Sequence, residues 1–431
     1  MMKYRSSPAN KISGTINIPG DKSISHRSLI FSSLAEGTSY VSGLLESEDC
    51  INTMKAFQSM GVEIYKEDKG SYKINGVGLD GLEEPSHILH CGNSGTTMRL
   101  LSGLLSAQKF YTVLTGDQSL VTRPMDRVII PLSSMGAKIW ARKDKYAPLS
   151  IRGQSLGGID YKLPVASAQV KSSIILAGLY SDGDIKIVEP GSSRDHTERM
   201  LSAFGVNLNI KGDIIELKKK DKLRLSAQEI DIPADISSAA FFIAAALITP
   251  NSELILKNIG INPTRSGFLT VVQDMGANIE IFNRRDTGGE PMADIKVSSS
   301  DLKAVPIKGD IIPSLIDEIP LLAILSTQAE GKTIIRDAEE LRVKESDRIK
   351  TTCAGLKQLG VSVEELDDGM IINGQAKLKG EAVIDCHYDH RIAMSFAIAG
   401  LVSEIPITIE NSEAINTSFP EFPNLLKEII S

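Results

Sequence analysis

One hydrophobic pattern recurs along the chain. A helix-like stretch ends in an apolar residue, a glycine and a small or branched residue, and the chain then continues as a strand. Met60-Gly61-Val62-Glu63-Ile64 and Met135-Gly136-Ala137-Lys138-Ile139 are the clearest copies. Phe204-Gly205-Val206, Met275-Gly276-Ala277 and Leu359-Gly360-Val361 repeat it, with the glycines 69 to 84 residues apart. Such a glycine predicts a helix ended by a left-handed residue and a strand running back. A second pattern runs in step. A polar opening leads into an apolar, small-residue helix, a turn and a β-rich strand. Its six copies begin near Ser25, Ser94, Ala168, Ser237, Asp317 and His390, 69 to 80 residues apart. The strands that follow include 184–188, 253–256, 333–336 and 405–409.

The chain therefore reads as an α/β protein of six units of about 72 residues, each with two helices and several strands. The apolar segments 100–105, 174–179, 239–248, 321–325 and 393–402 carry no charge. A helix apolar on every face is buried, so each unit is expected to wrap strands and an outer helix around a buried one. The sixth unit closes on the helix 424–430 and lacks a final strand, which segment 11–18 is expected to supply. That gives a discontinuous lobe, 1–19 plus 236–431, holding repeats four to six, and a second lobe, 20–235, holding repeats one to three.

The 431 residues are 42% hydrophobic, enough for large cores and incompatible with global disorder. Lys plus Arg number 47 against 54 Asp plus Glu, and the net charge of −7 disfavours a broad nucleic-acid surface. The longest apolar run, 239–248, is too short to span a bilayer. Residues 1–14 are polar and contain no leader-like apolar core. Cys50, Cys91, Cys353 and Cys386 show no paired spacing and fit reduced thiols. The expectation is a soluble, cytoplasmic protein.

The unusual polar residues gather where the apolar helices begin. These are Asp21-Lys22-Ser23-Ile24-Ser25-His26-Arg27, Gly92-Asn93-Ser94-Gly95-Thr96-Thr97, Ser167-Ala168-Gln169-Val170-Lys171, Asp235-Ile236-Ser237-Ser238, Asp317-Glu318 and Asp389-His390-Arg391. Ser, Thr, Asn and Asp there are ordinary caps, and Asp235, Ser237 and Ser238 read equally as caps or as site groups. Lys22 and Arg27 are different. A cation at a helix N-terminus opposes the dipole unless an anion joins it. More cations precede the outer helices, in Arg123-Pro124, Ser193-Arg194-Asp195-His196 and Arg342-Val343-Lys344-Glu345-Ser346-Asp347-Arg348. Lys344 and Arg348, four apart, are expected to share a helical face with Glu345 close by, either as a solvated salt-bridged surface or as part of the site. Phosphates and a carboxylate are the natural guests of so many cations.

Other signals fall away. Gly76-Val77-Gly78-Leu79-Asp80-Gly81 runs into Leu82-Glu83-Glu84-Pro85 and lacks the helix of a dinucleotide site. Cys386-His387 with His390 has no second ligand group at zinc-like spacing. Lys218-Lys219-Lys220 reads as a solvated turn, and no P-loop or GxSxG elbow is present. No metal or organic cofactor is implied.

Pro19-Gly20-Asp21-Lys22-Ser23-Ile24-Ser25-His26-Arg27 resembles the opening signature of the EPSP synthase (5-enolpyruvylshikimate-3-phosphate synthase) family. Gly92-Asn93-Ser94-Gly95-Thr96 with Arg99, Leu341 to Arg348, and Asp389-His390-Arg391 resemble three further signatures. The likeness runs from about Pro19 to Pro420. It implies a two-lobed inside-out α/β barrel of six βαβαββ-type repeats that closes over a cleft. It implies transfer of the enolpyruvyl group of phosphoenolpyruvate to the 5-hydroxyl of shikimate 3-phosphate, with release of phosphate, on the shikimate pathway to chorismate and the aromatic amino acids. By the same resemblance, Lys22, Ser23, Arg27, Ser167, Gln169, Arg194, Asp317 and Lys344 hold shikimate 3-phosphate. Lys22, Gly95, Arg123, Gln169, Arg348 and Arg391 hold phosphoenolpyruvate. Addition followed by elimination needs groups that give and take protons. Glu345 is assigned as the acid toward the methylene carbon and Asp317 as the base near the 5-hydroxyl, with a helix N-cap as the other reading of Asp317. Lys22 is the cationic partner of the attacking oxygen or the leaving phosphate. Phosphate ligands should relieve cation repulsion and draw the lobes together about Pro19-Gly20 and 233–235.

Three positions depart from the family pattern. Thr417 stands where many members carry Lys, Ala168 where many carry Ser, and Leu100 where Pro is frequent. These changes resemble the divergent bacterial branch, which includes glyphosate-tolerant enzymes, yet Gly95 stands where tolerance is associated with Ala. Glyphosate is therefore a candidate inhibitor whose effect the sequence leaves open. A monomer is expected, with no nucleic-acid or membrane partner. The rival readings are UDP-N-acetylglucosamine enolpyruvyl transferase and a non-catalytic anion-binding relative. The former usually has Asn after the first Lys and a reactive Cys on a mobile loop. Here Ser23 follows Lys22, and Cys91 looks like packing. The latter could dispense with the acid–base pair, which is retained here.

Overall fold

Helices that bury every face need neighbours on all sides, and among the described residues the chain supplies other buried helices and six small sheets. The computed structural model describes residues 2–219, 223–379 and 382–430, so Lys220 of the basic turn lies outside the described residues. The buried helices are Lys22–Leu34, Gly95–Ser106, Ala168–Gly178, Ile236–Ile248, Ile319–Gln328 and His390–Ala399. In the first, every residue from Ile24 to Leu34 is buried. In Ile236–Ile248, only Ser238 and Ile248 are not. The outer helices Glu48–Ser59, Asp126–Ser134, His196–Ala203, Gly267–Asp274 and Arg348–Gln358 each lead to one of the five recurring glycines, which have φ between 82° and 101°. A Cβ is disfavoured in that region, which explains the residue choice at the turn back into a strand.

Five of the sheets share one plan. The strand after a buried helix is central, with a parallel neighbour on one side and an antiparallel one on the other. Tyr111–Thr115, for example, lies between Leu89–His90, parallel, and Tyr146–Arg152, antiparallel, which hairpins with Lys138–Arg142. Ile159–Lys162, Ile185–Val188, Ile214–Leu217 and Asn209–Lys211 repeat the order. In the fifth unit Lys332–Ile335 has Gly369–Asn373 as its antiparallel neighbour and only isolated parallel bridges on its other side.

Three strands pair outside their own unit. Ser13–Asn17 precedes the Lys22–Leu34 helix, yet it pairs in parallel with Glu253–Gly260, Ser13 opposite Glu253 and Asn17 opposite Lys257. Leu225–Ser226 and Glu229–Asp231 precede the Ile236–Ile248 helix, yet they pair in parallel with Ala35–Ser42. The expectation that 11–18 completes the sixth unit is therefore corrected. Ser13–Asn17 joins the sheet of the fourth unit, and Lys3–Ser6 pairs antiparallel with Ile407–Glu410 of the sixth. The reason is edge satisfaction. With its own preceding strand taken by Ala35–Ser42, Glu253–Gly260 needs another parallel partner, and the last central strand has an open antiparallel side.

The chain divides into two compact units. One is Met1–Ile18, Ala234–Arg285 and Met292–Ser431, and the other is Pro19–Pro233 with Asp286–Pro291. Each has its own apolar core. Phe241, Phe242, Phe419 and Phe422 meet edge to face or tilted in the first. Phe31 and Phe204 meet in the second, with ring centroids 5.7 Å apart. No helix among the described residues is long and apolar enough to cross a membrane.

A buried hydroxyl chain ties two helix starts together in the second unit. His26 Nδ1 is 2.8 Å from Thr53 Oγ1, Thr53 Oγ1 is 2.7 Å from Thr97 Oγ1, and Thr97 Oγ1 donates to Ser94 Oγ at 2.7 Å. Burial, reinforced by Lys22 and Arg27, pulls the His26 imidazole from 6.5 down to about 3.

Two predictions follow from this packing. A Cβ on Gly103 would lie 2.0 Å from the Ser173 carbonyl oxygen, whereas one on Gly157 would meet its nearest neighbour at 3.7 Å. Gly103→Ala should destabilise by about 1–3 kcal/mol in urea unfolding, with Gly157→Ala close to the parent. The second concerns pH. His26 takes up a proton near 6.5 when unfolded but only near 3 when folded, so the unfolded state binds more protons between those values. Its contribution is complete above about pH 6.5 and is lost as pH falls toward 3. The urea midpoint of His26→Gln should fall less steeply than the parent's between those limits. Parallel curves would contradict the assignment.

Candidate active site

In the unit containing Pro19–Pro233, the arginines Arg27, Arg99 and Arg123 are held by neutral groups. Asp21 caps the Lys22–Leu34 helix through the Ile24 amide at 2.9 Å. Lys22, half exposed, reaches Asp49 at 2.5 Å, and Ser23 is half-buried beside it. Arg27, one turn on, is buried. Its Nε donates to Thr197 Oγ1 at 2.7 Å, Nη1 to the Ser23 carbonyl at 3.1 Å and Nη2 to Ser172 Oγ at 2.8 Å. That uses three of its five N–H donors. Burial pulls the Arg27 guanidinium below its ordinary value, Glu198, Glu290 and Asp21 oppose this, and Arg194 pushes further down.

Gly95 opens the next buried helix, with Ser94 as its cap to Thr97 N at 3.0 Å. A Cβ on Gly95 would stand 2.8 Å from Arg99 Nη1 and 3.9 Å from Arg123 Nη1. Arg99 Nη1 donates to Gln169 Oε1 at 2.6 Å, and Gln169 Nε2 donates to Thr96 Oγ1 at 2.9 Å. Arg123 Nη2 donates to Asn93 Oδ1 at 2.5 Å and Ser119 Oγ at 3.1 Å. Burial, then Arg123 and Arg127, push the Arg99 guanidinium down. Gly95, Arg123 and Gln169 are thus brought together, and Ser167 caps the helix that carries Gln169, accepting from Val170 N at 3.4 Å. Arg99 belongs to this group although sequence reasoning gave it no role. The signal was present, since it lies one helical turn from Gly95.

The other unit holds its cations with carboxylates. Arg348 is 1% exposed. Its Nε donates to Asp389 Oδ2 at 2.8 Å, Nη1 to Asp317 Oδ1 at 3.2 Å and Nη2 to Glu345 Oε2 at 2.6 Å. Asp389 is fully buried and also caps the His390–Ala399 helix, accepting from Arg391 N at 2.9 Å. Arg391 Nη1 donates to Glu318 Oε1 at 2.8 Å and to the Asp317 carbonyl at 3.5 Å. Asp317, Glu345, Arg348 and Arg391 therefore form one cluster. Lys344 pairs instead with Glu340.

Three expectations change. Lys344 and Arg348 do not share a helical face. Lys344 is extended, with φ −81° and ψ −155°, and the helix starts at Arg348 because Asp347 caps it through Lys350 N at 3.0 Å. Arg348 is buried, so a solvated surface is ruled out for it. Asp317 is no cap for the Ile319–Gln328 helix. It lies in the preceding 3-10 turn, Ile316–Glu318, and Arg348 occupies its carboxylate. Asp235 does act as a cap, accepting from Ser237 N and Ser238 N at 3.2 Å each, while Ser237 Oγ accepts from Arg265 at 2.7 Å.

Cys91 is 1% exposed and burial pushes its thiol up to about 12, which suits packing and not nucleophilic attack. Thr417 is exposed on the short helix Ile415–Ser418.

Comparison with known proteins identifies the family. Residues 7–426 match the family model of EPSP synthase (3-phosphoshikimate 1-carboxyvinyltransferase). The chain is 50% identical to the 3-phosphoshikimate 1-carboxyvinyltransferase of Petrotoga mobilis over the full length of both. It is 51% identical to that of Bacillus subtilis over 95% of each chain. The EPSP synthase structure from Acinetobacter baumannii superposes with a TM-score of 0.94 at 47% identity, covering 99% of this chain and 98% of that one. With likeness of this extent, the chain belongs to the EPSP synthase family.

Proposed function

We propose a division of roles among these residues for the family reaction. The chain is an enzyme that transfers the enolpyruvyl group of phosphoenolpyruvate to the 5-hydroxyl of shikimate 3-phosphate and releases phosphate, a step of aromatic amino acid biosynthesis. Shikimate 3-phosphate is held by Lys22, Ser23, Arg27, Ser167, Gln169, Arg194, Asp317 and Lys344. Phosphoenolpyruvate is held by Lys22, Gly95, Arg123, Gln169, Arg348 and Arg391. Asp317 accepts the proton of the 5-hydroxyl as its oxygen bonds to the central carbon of phosphoenolpyruvate. Glu345 gives a proton to the methylene carbon. In the second step the phosphate oxygen leaves with its electron pair, and the new methyl returns a proton to re-form the double bond. Lys22 offsets the charge that develops on oxygen.

The observation that carries these roles is buried Arg348, which is anchored on Asp389 and grips Asp317 and Glu345 at 3.2 and 2.6 Å. A planar guanidinium with three partners fixes where two carboxylates point. The six small sheets, five of them with a common order about the central strand, and the six buried helices support six βαβαββ-type repeats arranged as an inside-out barrel. The lobes would be 1–19 plus 236–431 and 20–235. The enzyme would act as a cytoplasmic monomer, without cofactor, nucleic acid or membrane, and glyphosate would compete at the phosphoenolpyruvate position.

Phosphate release should require both substrates, with the enolpyruvyl adduct identified by mass. Asp317→Asn and Glu345→Gln should each lower kcat by about 10²–10⁴ while calorimetry still detects both ligands. Full turnover in either variant would remove that residue from the chemistry. Gly95→Ala should displace Arg99, since the added methyl would lie 2.8 Å from its Nη1. It should raise the inhibition constant of glyphosate more than the KM of phosphoenolpyruvate, and an unchanged inhibition constant would put Gly95 elsewhere.

A further inference from the structure

A buried ion triad lies behind the segment that carries Arg194. Lys171, on the Ala168–Gly178 helix, is 1% exposed. Its Nζ is 2.8 Å from Glu189 Oε2 and 2.7 Å from Glu198 Oε1. Glu189 directly follows the Ile185–Val188 strand, and Glu198 sits in the first turn of the His196–Ala203 helix. Residues 190–195 join these two elements with neither helix nor strand. Both anchors of this loop thus meet on one ammonium. The loop is also tied from within, because Ser193 Oγ donates to Glu189 Oε1 at 2.5 Å. Arg194 follows Ser193 directly.

The triad belongs to a larger network on the same helix. Ser172, next to Lys171, accepts from Arg27 Nη2 at 2.8 Å and lies 2.6 Å from Thr197 Oγ1. Ser167 and Gln169 stand four and two residues before Lys171. Burying one ammonium and two carboxylates is a poor route to stability, since well-packed apolar groups do as well or better. It is a good route to one geometry, because an ion pair without solvent tolerates little displacement.

We propose that Lys171, Glu189 and Ser193 are positioning residues that hold Arg194 in register with Ser167, Gln169 and Arg27 for the anionic groups of shikimate 3-phosphate. Glu198 closes the clamp on the far side of the loop. None of the four touches the substrate. The inference rests on the role given to Arg194 above.

The test is a double-mutant cycle on the full-length enzyme at saturating phosphoenolpyruvate. Glu189→Gln removes the negative charge and leaves one amide oxygen where two carboxylate oxygens now accept from Lys171 and Ser193, loosening the clamp without changing side-chain size. It should raise the KM for shikimate 3-phosphate about tenfold with kcat within about twofold, the pattern of lost binding and not of lost chemistry. Ser193→Ala removes one hydroxyl and should raise KM roughly threefold, and it serves if Glu189→Gln does not fold. Arg194→Ala alone should raise KM at least as much as Glu189→Gln. In the Arg194→Ala background both other changes should add nothing, because residues acting through one another are not additive. If they raise KM by the same factor there as in the parent, or leave it unchanged in the parent, the positioning role is overturned and Arg194 keeps its own. If Arg194→Ala leaves KM unchanged, the reading of Arg194 fails and this inference fails with it.

Discussion

A helix buried on every side has only its ends for polar chemistry, and much of this molecule follows from that constraint. The apolar faces of Lys22–Leu34 or Ile236–Ile248 admit no charged group that would lack a partner. The first amides of such a helix still need acceptors. The sequence meets the need with Asp21, Ser94, Ser167, Asp235 and Asp389, each accepting from amides of the first turn. Once caps and cations are confined to these ends, the residues that can bind an anion are confined there too. Fold and site are in this sense one solution.

The two units then use their helix starts differently. In one, Arg27 is held by two hydroxyls and a carbonyl, Arg99 by an amide oxygen, and Arg123 by Asn93 and Ser119. Neutral acceptors fix a guanidinium without cancelling its charge. Lys22, half exposed, pairs instead with Asp49, and buried Lys171 with Glu189 and Glu198. In the other unit Arg348 meets three carboxylates and Arg391 meets Glu318. There the cations fix carboxylate oxygens. The two units thus differ in what holds these arginines.

Much of this was legible in the sequence because it depends on local pattern. The five helix-ending glycines and the uncharged apolar helices follow from backbone sterics and burial, which a window of a few residues records. Strand partnership was not legible in that way. Ser13–Asn17 and Glu229–Asp231 each satisfy the edge of a sheet more than 180 residues away, and nothing in either strand names its partner. The helix boundary at Arg348 was missed for a different reason. A charge pattern spaced four apart matches a helical face, but the Asp347 cap decides the start. Arg99 was visible as part of a motif, but its contact with Gln169 joins two helices and appears only when they pack.

Buried charge marks where geometry has been favoured over stability. The cores are chiefly Ile, Leu, Val, Ala, Phe and Met. Against that background Arg27, Lys171, Glu198, Arg348, Glu318 and Asp389 are all under 5% exposed. Desolvating each one opposes folding, and apolar replacements of similar size would remove that penalty. The Glu198 carboxyl is pushed above its ordinary value by burial, even though Lys171 pulls the other way. These six sit at the starts of the buried helices and on the segments that adjoin them, while Glu290 and Asp294, as deeply buried, lie on the strand Glu290–Ser298. Buried charge thus falls mainly, and not solely, where the helices begin, which is the distribution expected when orientation at those ends matters more than the stability that apolar groups would add.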